Sequence, residues 1–160
     1  EVKIGDVLKV FLYKDSKDRL IATTNTPKLQ LEQLAVLEVL EIGKIGAFLD
    51  WGLEKDLFLP FKEMTRKVEP GDEILVTLYI DKSNRLAATM KVYRYLKTTG
   101  KYQKDDMVTG TIYEINSEIG AFVAVDNEFY GLISKQEMHG KIEVGQTVSA
   151  RVTSQRRWQT

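Results

Sequence analysis

IGAFLDW stands at residues 45–51 of this 160-residue chain, and it returns as IGAFVAV at residues 119–125. A Glu-Met pair follows each copy at the same distance, as Glu63-Met64 and Glu137-Met138. Similarity that recurs at one fixed offset is the signature of an internal repeat. The chain is therefore predicted to be built from repeated structural units.

Both copies have the alternating pattern of a β-strand, in which successive side chains point to opposite faces. Phe48 falls on the face opposite to Leu49 and Trp51, which are expected to point into a core. Phe122 has the same outward place in the second copy, with Ala124 beside it on that face. A function that uses outward aromatic rings, or a contact between units, would explain this repetition.

A second repeated block predicts a β-hairpin in each unit. GDVLKVFLY at residues 5–13 returns as GDEILVTLY at residues 71–79, and each run leads through a polar turn into a shorter apolar run. A long strand, a polar turn and a shorter strand are typical of a hairpin. A weaker third copy begins at Gly145.

The two repeats divide the chain into three units, and an all-β fold is predicted. Residues 1–27 supply only the last hairpin of a first unit, residues 28–97 form a complete second unit, and residues 98–160 form a third unit that is truncated in its last strand. Five short strands with one longer connection indicate a small Greek-key barrel of the OB type. Strands are expected near residues 35–42, 45–51, 56–59, 73–80 and 85–90, and again near 107–115, 119–125, 129–133, 146–153 and 157–160. Short helical turns are expected near residues 61–64 and after Val92.

Composition excludes several classes of protein. Apolar residues make up 43% of the chain, which is typical of a globular protein. No apolar run approaches the roughly 18 residues that a membrane span needs. The absence of cysteine excludes disulfides and thiolate metal sites, and it fits a cytoplasmic protein. The formal net charge of zero provides no overall basic field for nucleic acid.

Catalytic chemistry has little support in the sequence, so the chain is not expected to be an enzyme. His139 is the only histidine, and it stands beside Gly140 in a predicted turn. No second histidine or cysteine accompanies it as a nucleophile or base. The carboxylates show no metal-ligand spacing, and no glycine-rich phosphate loop precedes a helix. Neither a metal nor a cofactor is therefore predicted.

One stretch of the chain is strongly basic. Residues 82–104 contain no acidic residue, three tyrosines (Tyr93, Tyr95 and Tyr102) and seven basic residues, namely Lys82, Arg85, Lys91, Arg94, Lys97, Lys101 and Lys104. Basic residues interleaved with aromatic rings suit the backbone and bases of a single-stranded nucleic acid. A solvated tether between units is the alternative interpretation.

OB barrels bind single strands by stacking bases on outward aromatic rings, with basic residues along the phosphates. Phe48, Phe122 and Arg85 have the places that this mode requires. Burial of each phenylalanine, either under the connection between the third and fourth strands or at a contact between units, is an equally good interpretation. Asp81 and Arg85 could form an exposed ion pair worth about 0–1 kcal/mol.

The run at residues 45–48 resembles the S1 (S-one) RNA-binding module, a family named after a ribosomal protein. The sequence GLI at residues 131–133 with Glu137, and LFL at residues 57–59 with Glu63, match the motif that follows in that family. The second unit is also similar to the conserved virulence factor B family, on residues 45–53, 55–57 and 60–61. That resemblance implies tandem S1 modules, a winged-helix domain absent from this chain, RNA binding, and an influence on virulence gene expression in bacteria.

The resemblance also implies the residues that would face RNA. Phe48 and Phe122 match the second family aromatic, whereas Ile45 and Ile119 replace the first. The family histidine is replaced by Pro60 and by Ser134. The family Asp and Arg are kept as Asp81 and Arg85 in the second unit, and as Asp15 and Arg19 in the first. In the third unit Gln155 and Gln159 replace them, with Arg156 and Arg157 adjacent. Together with the basic stretch, the predicted RNA-binding set is Phe48, Asp81, Lys82, Arg85, Arg94, Lys97, Lys101, Phe122, Ser134, Arg156 and Arg157.

The sequence thus predicts a non-catalytic, single-stranded RNA-binding protein that acts as a bacterial post-transcriptional or virulence-gene regulator. The alternative is a protein-interaction module that docks on the ribosome or the transcription machinery. Zero net charge, with Ile45 and Ile119 in place of aromatic residues, favours the alternative. The acid-free stretch at residues 82–104 favours RNA.

Overall fold

A computed structural model describes residues 3–14, 17, 19–98 and 101–154. Its first element is an antiparallel hairpin of β1 (Phe11–Lys14) and β2 (Leu20–Thr23). The hairpin does not stand apart, because the rings of Phe11 and Tyr13 pack on Trp51 of the second unit. A lone two-stranded hairpin is at best marginally stable in water, so this docking gives it a partner.

The second unit is a nearly closed barrel of five strands. They are β3 (Leu34–Ile42), β4 (Gly46–Asp50), β5 (Leu57–Pro60), β6 (Glu73–Ile80) and β7 (Leu86–Thr89). The order is β5-β4-β3-β6-β7, and β5 lies beside β7, so the two outer strands approach each other. A 3₁₀ turn at Phe61–Glu63 follows β5. The all-β prediction is confirmed, and these strands lie where the sequence predicted them within one or two residues.

The alternation of β4 explains how this barrel is filled. Ala47 and Leu49 are completely buried, Trp51 is 3% exposed, and all three belong to one apolar core. The indole Nε1 of Trp51 donates a hydrogen bond to the carbonyl oxygen of Lys55 at 2.6 Å, so its polar atom is satisfied. The inward placement of Trp51 is therefore confirmed.

The glycine of the repeated motif allows a close approach between strands. A Cβ on Gly46 would lie 2.2 Å from the carbonyl oxygen of Leu59, which no side chain can tolerate. A Cβ on Gly120 would lie 2.0 Å from the carbonyl oxygen of Ile133, at the equivalent place in the third unit. The same backbone contact therefore requires glycine in both copies.

The third unit repeats four of the strands. They are β8 (Met107–Asn116), β9 (Gly120–Val125), β10 (Phe129–Ser134) and β11 (Thr147–Arg151), in the order β10-β9-β8-β11. A 3₁₀ turn at Lys135–Glu137 follows β10. The predicted last strand, residues 157–160, lies outside the described residues.

The second and third units share a small apolar cluster, here named the junction core. Its buried members are Leu34, Leu75, Val92, Leu96 and Ala124. Val92 begins a 3₁₀ turn at Val92–Tyr95, here named the linker turn, and Leu96 follows it. The alternative of a solvated tether is therefore wrong for this part of the linker.

The junction core also corrects the expectation for Ala124. This residue faces away from the core of its own unit, as alternation predicted, but its exposure is 0%. Burial results from contact with the second unit, which strand periodicity cannot reveal. Within the described ranges, no helix combines the length and the apolar character needed to cross a membrane.

Candidate nucleic-acid interface

Phe48 forms a pair of rings with Phe58 on the outer face of the second unit. The two residues are direct partners across β4 and β5, and their ring centroids lie 5.6 Å apart. Both side chains are half-buried, whereas Leu49 and Leu59 behind them have 0% exposure. The pair is therefore outside the barrel core, with part of each ring accessible.

The sequence prediction missed Phe58, although a signal for it was present. In the run LFL at residues 57–59, Phe58 lies between two leucines that alternation sends inward. Its outward direction could have been predicted from that pattern. Its contact with Phe48 requires the register between β4 and β5, which the sequence does not specify.

A further exposed ring lies at the end of the same strands. The backbone N–H of Phe61 donates to the carbonyl oxygen of Ile45 at 3.2 Å, and the Phe61 side chain is 47% exposed. Ile45 itself is 70% exposed, at the position where the resemblance implies an aromatic residue. Phe61 thus lies beside Ile45, which stands where the resemblance implies the first of two aromatic residues.

Asp81 shapes the turn that carries Arg85. Its Oδ1 accepts hydrogen bonds from the Ser83 N–H (2.8 Å), the Ser83 hydroxyl (2.6 Å) and the Arg85 N–H (3.0 Å). Partial burial opposes its ionisation, but these bonds and the positive charge of Arg85 hold the pKa of Asp81 below its usual value. One oxygen of the carboxylate is therefore engaged in the turn, and the turn carries Arg85 and the exposed Lys82 beside it.

The strand that follows this turn contacts the strand that carries Phe58. Thr89, at the end of β7, donates from its hydroxyl to Glu63 at 2.7 Å, and the N–H of Met90 donates to the Glu63 carbonyl at 3.0 Å. Glu63 follows β5, and β7 contacts β5. The strand that Arg85 precedes is therefore next to the strand that carries Phe58, while Arg85 itself lines a groove with Phe11 and Leu12 of the hairpin.

Acidic residues of the third unit partly offset the positive charge of the basic stretch at residues 82–104. Lys97 forms an ion pair with Glu128 of the third unit, and its Nζ lies 5.7 Å from the centroid of the Phe129 ring. Tyr102 donates to the carboxylate of Asp126; burial and this bond raise the pKa of Tyr102 to about 12. Carboxylates of the third unit thus approach a segment that contains none of its own.

The other predicted cations of the linker differ in their surroundings. Arg94 is exposed and lies over the ring of Tyr93, with its Cζ 5.7 Å from the centroid. Lys101 is exposed and lies over Tyr102 at 5.9 Å. Arg94 therefore offers a charge at the surface together with an aromatic ring.

The linker turn and Phe48 occupy different parts of the second unit. Leu34, against which the linker packs, begins β3, whereas Glu41, which pairs with Phe48, is near the end of that strand. The two predicted parts of the site therefore lie towards opposite ends of β3. A ligand that touches both would have to follow the barrel surface.

Phe122 has different neighbours from Phe48. Its ring centroid lies 6.3 Å from that of Tyr113 and 6.0 Å from that of Tyr130, and both tyrosines pack against the junction core. Burial, first among the causes, raises the pKa values of both tyrosines. Phe122 is half-buried beside the contact between units.

The structure describes one of the three remaining predicted residues of the third unit, Ser134. Ser134 ends β10 and is half-buried, and its hydroxyl makes no capping bond to the 3₁₀ turn that follows. Lys135 has the backbone contact that Phe61 has in the second unit, since its N–H donates to the Ile119 carbonyl at 3.0 Å. Arg156 and Arg157 lie outside the described residues. Among the described residues, no group of His, Cys, Asp or Glu is suited to hold a metal ion.

Comparison with known proteins agrees with this architecture. The family model described as S1 domain matches residues 1–25 and 33–91, and the model described as S1 RNA binding domain matches residues 101–157. Curated proteins named conserved virulence factor B, from several strains of Staphylococcus aureus, are 23% identical to this chain over 160 residues. The alignment covers 95% of this chain and 53% of those proteins, so the chain spans about half the length of the curated relatives it matches.

A solved structure has the same fold over almost the whole chain. It is the crystal structure of a multidomain protein with nucleic acid binding domains from Streptococcus pneumoniae, with a TM-score of 0.58 and 24% sequence identity. The superposition covers 96% of this chain and 57% of that one. The chain therefore belongs to the S1 domain family and carries S1 domains in tandem.

Proposed function

We propose that this chain is a non-catalytic protein that binds single-stranded RNA through the outer face of its second unit. The observation that carries the proposal is the pair formed by Phe48 and Phe58, whose rings lie 5.6 Å apart outside the core. Each base that stacks on an aromatic side chain contributes about 1–3 kcal/mol to binding. Two adjacent rings therefore offer a surface on which consecutive bases can stack.

Neighbouring residues supply the other requirements of this binding mode. Phe61 adds an exposed ring beside Ile45, and Arg85 with Lys82 adds positive charge at the turn that precedes β7. Asp81 contributes by fixing that turn rather than by touching RNA. Aromatic rings that stack on bases, combined with positive charge along the phosphates, bind a single strand with little dependence on its sequence.

The third unit has the weaker stacking face in this proposal. Phe122 contacts two tyrosines that pack against the junction core, and Lys135 stands where the second unit has Phe61. A cation in place of a ring favours a contact with phosphate over a contact with a base. The role of Ser134, and of Arg156 and Arg157 beyond the described residues, remains part of the same prediction.

The domain layout and cellular role extend the proposal. The proposed layout is the last hairpin of a first S1 unit at residues 1–27, a complete second unit at residues 28–97, and a third unit at residues 98–160 that is truncated in its last strand. The repeats and the S1 domain matches support it. The name of the curated relatives, conserved virulence factor B, supports a link to bacterial virulence. On that basis the proposal includes the role of a post-transcriptional or virulence-gene regulator in the cytoplasm.

A protein-interaction module is the second candidate function, and one observation favours it. Leu12 and Leu20 of the hairpin are 54% and 67% exposed, on the face turned away from Trp51. Large apolar side chains exposed together often mark a surface for another protein.

Titration of labelled single-stranded RNA at several salt concentrations tests the primary proposal. Binding should be measurable, should weaken as salt rises, and should exceed binding to a duplex of the same sequence. Phe48→Ala should weaken binding, with Phe122→Ala as the matched control at the equivalent position. Absence of RNA binding at low salt would overturn the proposal and favour a protein partner.

A further inference from the structure

The linker turn is held firmly in place, although it connects two units. Val92 has 0% exposure and Leu96 8%, and both side chains are in the junction core. The N–H of Leu96 donates to the carbonyl oxygen of Tyr93 at 3.4 Å, and the turn packs against β6. Burial of Val92 and Leu96 therefore fixes which way the side chains of the residues between them, 93–95, point.

The turn presents an aromatic ring and a cation to solvent. A 3₁₀ helix has three residues per turn, so Tyr95 lies on the same side as the buried Val92, while Tyr93 and Arg94 point elsewhere. Tyr93 is accordingly 53% exposed, and Tyr95 only 37%. The Nε of Arg94 donates to the Tyr93 hydroxyl at 3.3 Å, which holds the guanidinium beside the ring.

This surface and the turn that carries Arg85 lie at the two ends of β7, a strand of four residues. Tyr79, near the end of β6, pairs with Ala87 of β7 and lies between them. Burial is the main cause that raises the pKa of Tyr79, and the charges of Glu63 and Asp81 and the phenol of Tyr95 add to it. The turn at Asp81 follows the end of β6 directly, and the linker turn packs against the same strand, so β6 and β7 join the two places.

We propose that Tyr93 and Arg94 form a second contact site for the same single-stranded RNA, with a base stacked on Tyr93 and a phosphate at Arg94. The inference rests on the function proposed above. Half-exposed rings beside arginine are the combination that single-strand binders use for bases and backbone. No acidic residue occurs from Lys82 to Lys104, so no carboxylate of the linker itself opposes the phosphates. The RNA would pass from the Phe48 face, by way of Arg85, to the linker.

A pair of substitutions at Tyr93 provides the test. Tyr93→Leu keeps an apolar side chain without a ring, and Tyr93→Phe keeps the ring without the hydroxyl. For an RNA of about 16 nucleotides, the upper site size of one OB fold, Tyr93→Leu should weaken binding roughly 5- to 150-fold, the equivalent of one stack. Tyr93→Phe should retain most of the affinity. Equal losses in the two variants would overturn the inference, because the ring would then be irrelevant.

Two further measurements separate this inference from the proposed function. If Phe48→Ala weakens binding and Tyr93→Leu does not, the second site is refuted and the proposed function stands. If the unmodified protein binds no RNA, both are refuted. Tyr93→Leu should leave the melting temperature unchanged, since the side chain is half-exposed. A lowered melting temperature would assign the ring a structural role and would also overturn the inference.

Discussion

The ring of Phe11 lies edge-on against the indole of Trp51, with 5.9 Å between the ring centroids and 86° between the ring planes. Tyr13 approaches the same indole at 6.3 Å. The hairpin thus uses its Phe11 face to pack on the second unit, and Leu12 on the other face stays 54% exposed. The sequence predicted a hairpin at the start of the chain, and in the structure it packs on the second unit.

Amide exchange should show this docking. We expect backbone amides in β1 and β2 to be protected, to a degree that does not change with protein concentration. Phe11→Ala should reduce that protection selectively, since it removes one of the two rings on Trp51 while the barrel core remains. Rapid exchange throughout the hairpin of the unmodified protein would contradict the docking, and protection that grows with concentration would indicate pairing between molecules.

Trp51 and Phe48 should differ in their effects on stability. Trp51→Ala removes a side chain that is 3% exposed, and such deletions cost about 3–5 kcal/mol in the free energy of unfolding. Phe48→Ala should cost much less, because its ring is half-buried outside the core. Chemical denaturation of both variants measures the difference. Equal losses would mean that Phe48 acts as a core residue.

Phe48 and Phe122 should differ in RNA binding. Phe48→Ala should weaken the binding of single-stranded RNA by about 1–3 kcal/mol, the contribution of one stacked base. Phe122→Ala should have the smaller effect, since its ring packs with Tyr113 and Tyr130 near the junction core. Fluorescence anisotropy with one labelled RNA is sufficient. A larger loss of affinity in Phe122→Ala would mean that the third unit, and not the second, has the stronger stacking face.

Arg94 and Lys97 should differ in the salt dependence of binding. Each phosphate contact contributes roughly 0.7 to the slope of log affinity against log salt for a single strand. Arg94→Gln should reduce the slope by about that amount, whereas Lys97→Gln should change it less, because Lys97 is paired with Glu128. Equal slopes in Arg94→Gln and the unmodified protein would remove Arg94 from the phosphate contacts.

Asp81 should make stability depend on pH in the acidic range. Its pKa is lowered in the folded state, so the stabilisation is complete above the ordinary pKa of aspartate, about 3.9. It is lost as pH falls through the lower folded value. Asp81→Asn should therefore be less stable than the unmodified protein at neutral pH, and the difference should shrink on acidification. A difference independent of pH would exclude the charge of Asp81 as its cause.

Strand periodicity was sufficient to predict most of the fold. Alternation around Leu49 and Trp51 identified the inward face, and the two repeated blocks located the strands and the hairpins. These features are local, so one sequence is enough to reveal them. The position of the last strand of the third unit stays a prediction.

The contacts between units could not be predicted in the same way. Ala124 is buried by a neighbouring unit, and Lys97 is paired with a residue 31 positions away, so neither has a local pattern. The ring of Phe58 could be assigned an outward direction, but its contact with Phe48 depends on strand register. The candidate site was therefore predicted in its residue types and only partly in its arrangement.

The backbone bonds of Lys97 have a consequence for the way in which two units can share one ligand. The N–H of Lys97 donates to the Glu128 carbonyl at 2.9 Å, and the N–H of Tyr130 donates to the Lys97 carbonyl at 2.8 Å, so the end of the linker forms a single parallel β-bridge with β10 of the third unit. A flexible connection would let the units search for contacts at any separation, with an effective concentration set by its length. Here hydrogen bonds and the junction core hold the end of the linker against both units. If the two units share one RNA, as proposed above, we expect its affinity to depend on the distance between its two contact points, because the linker does not adjust that distance freely.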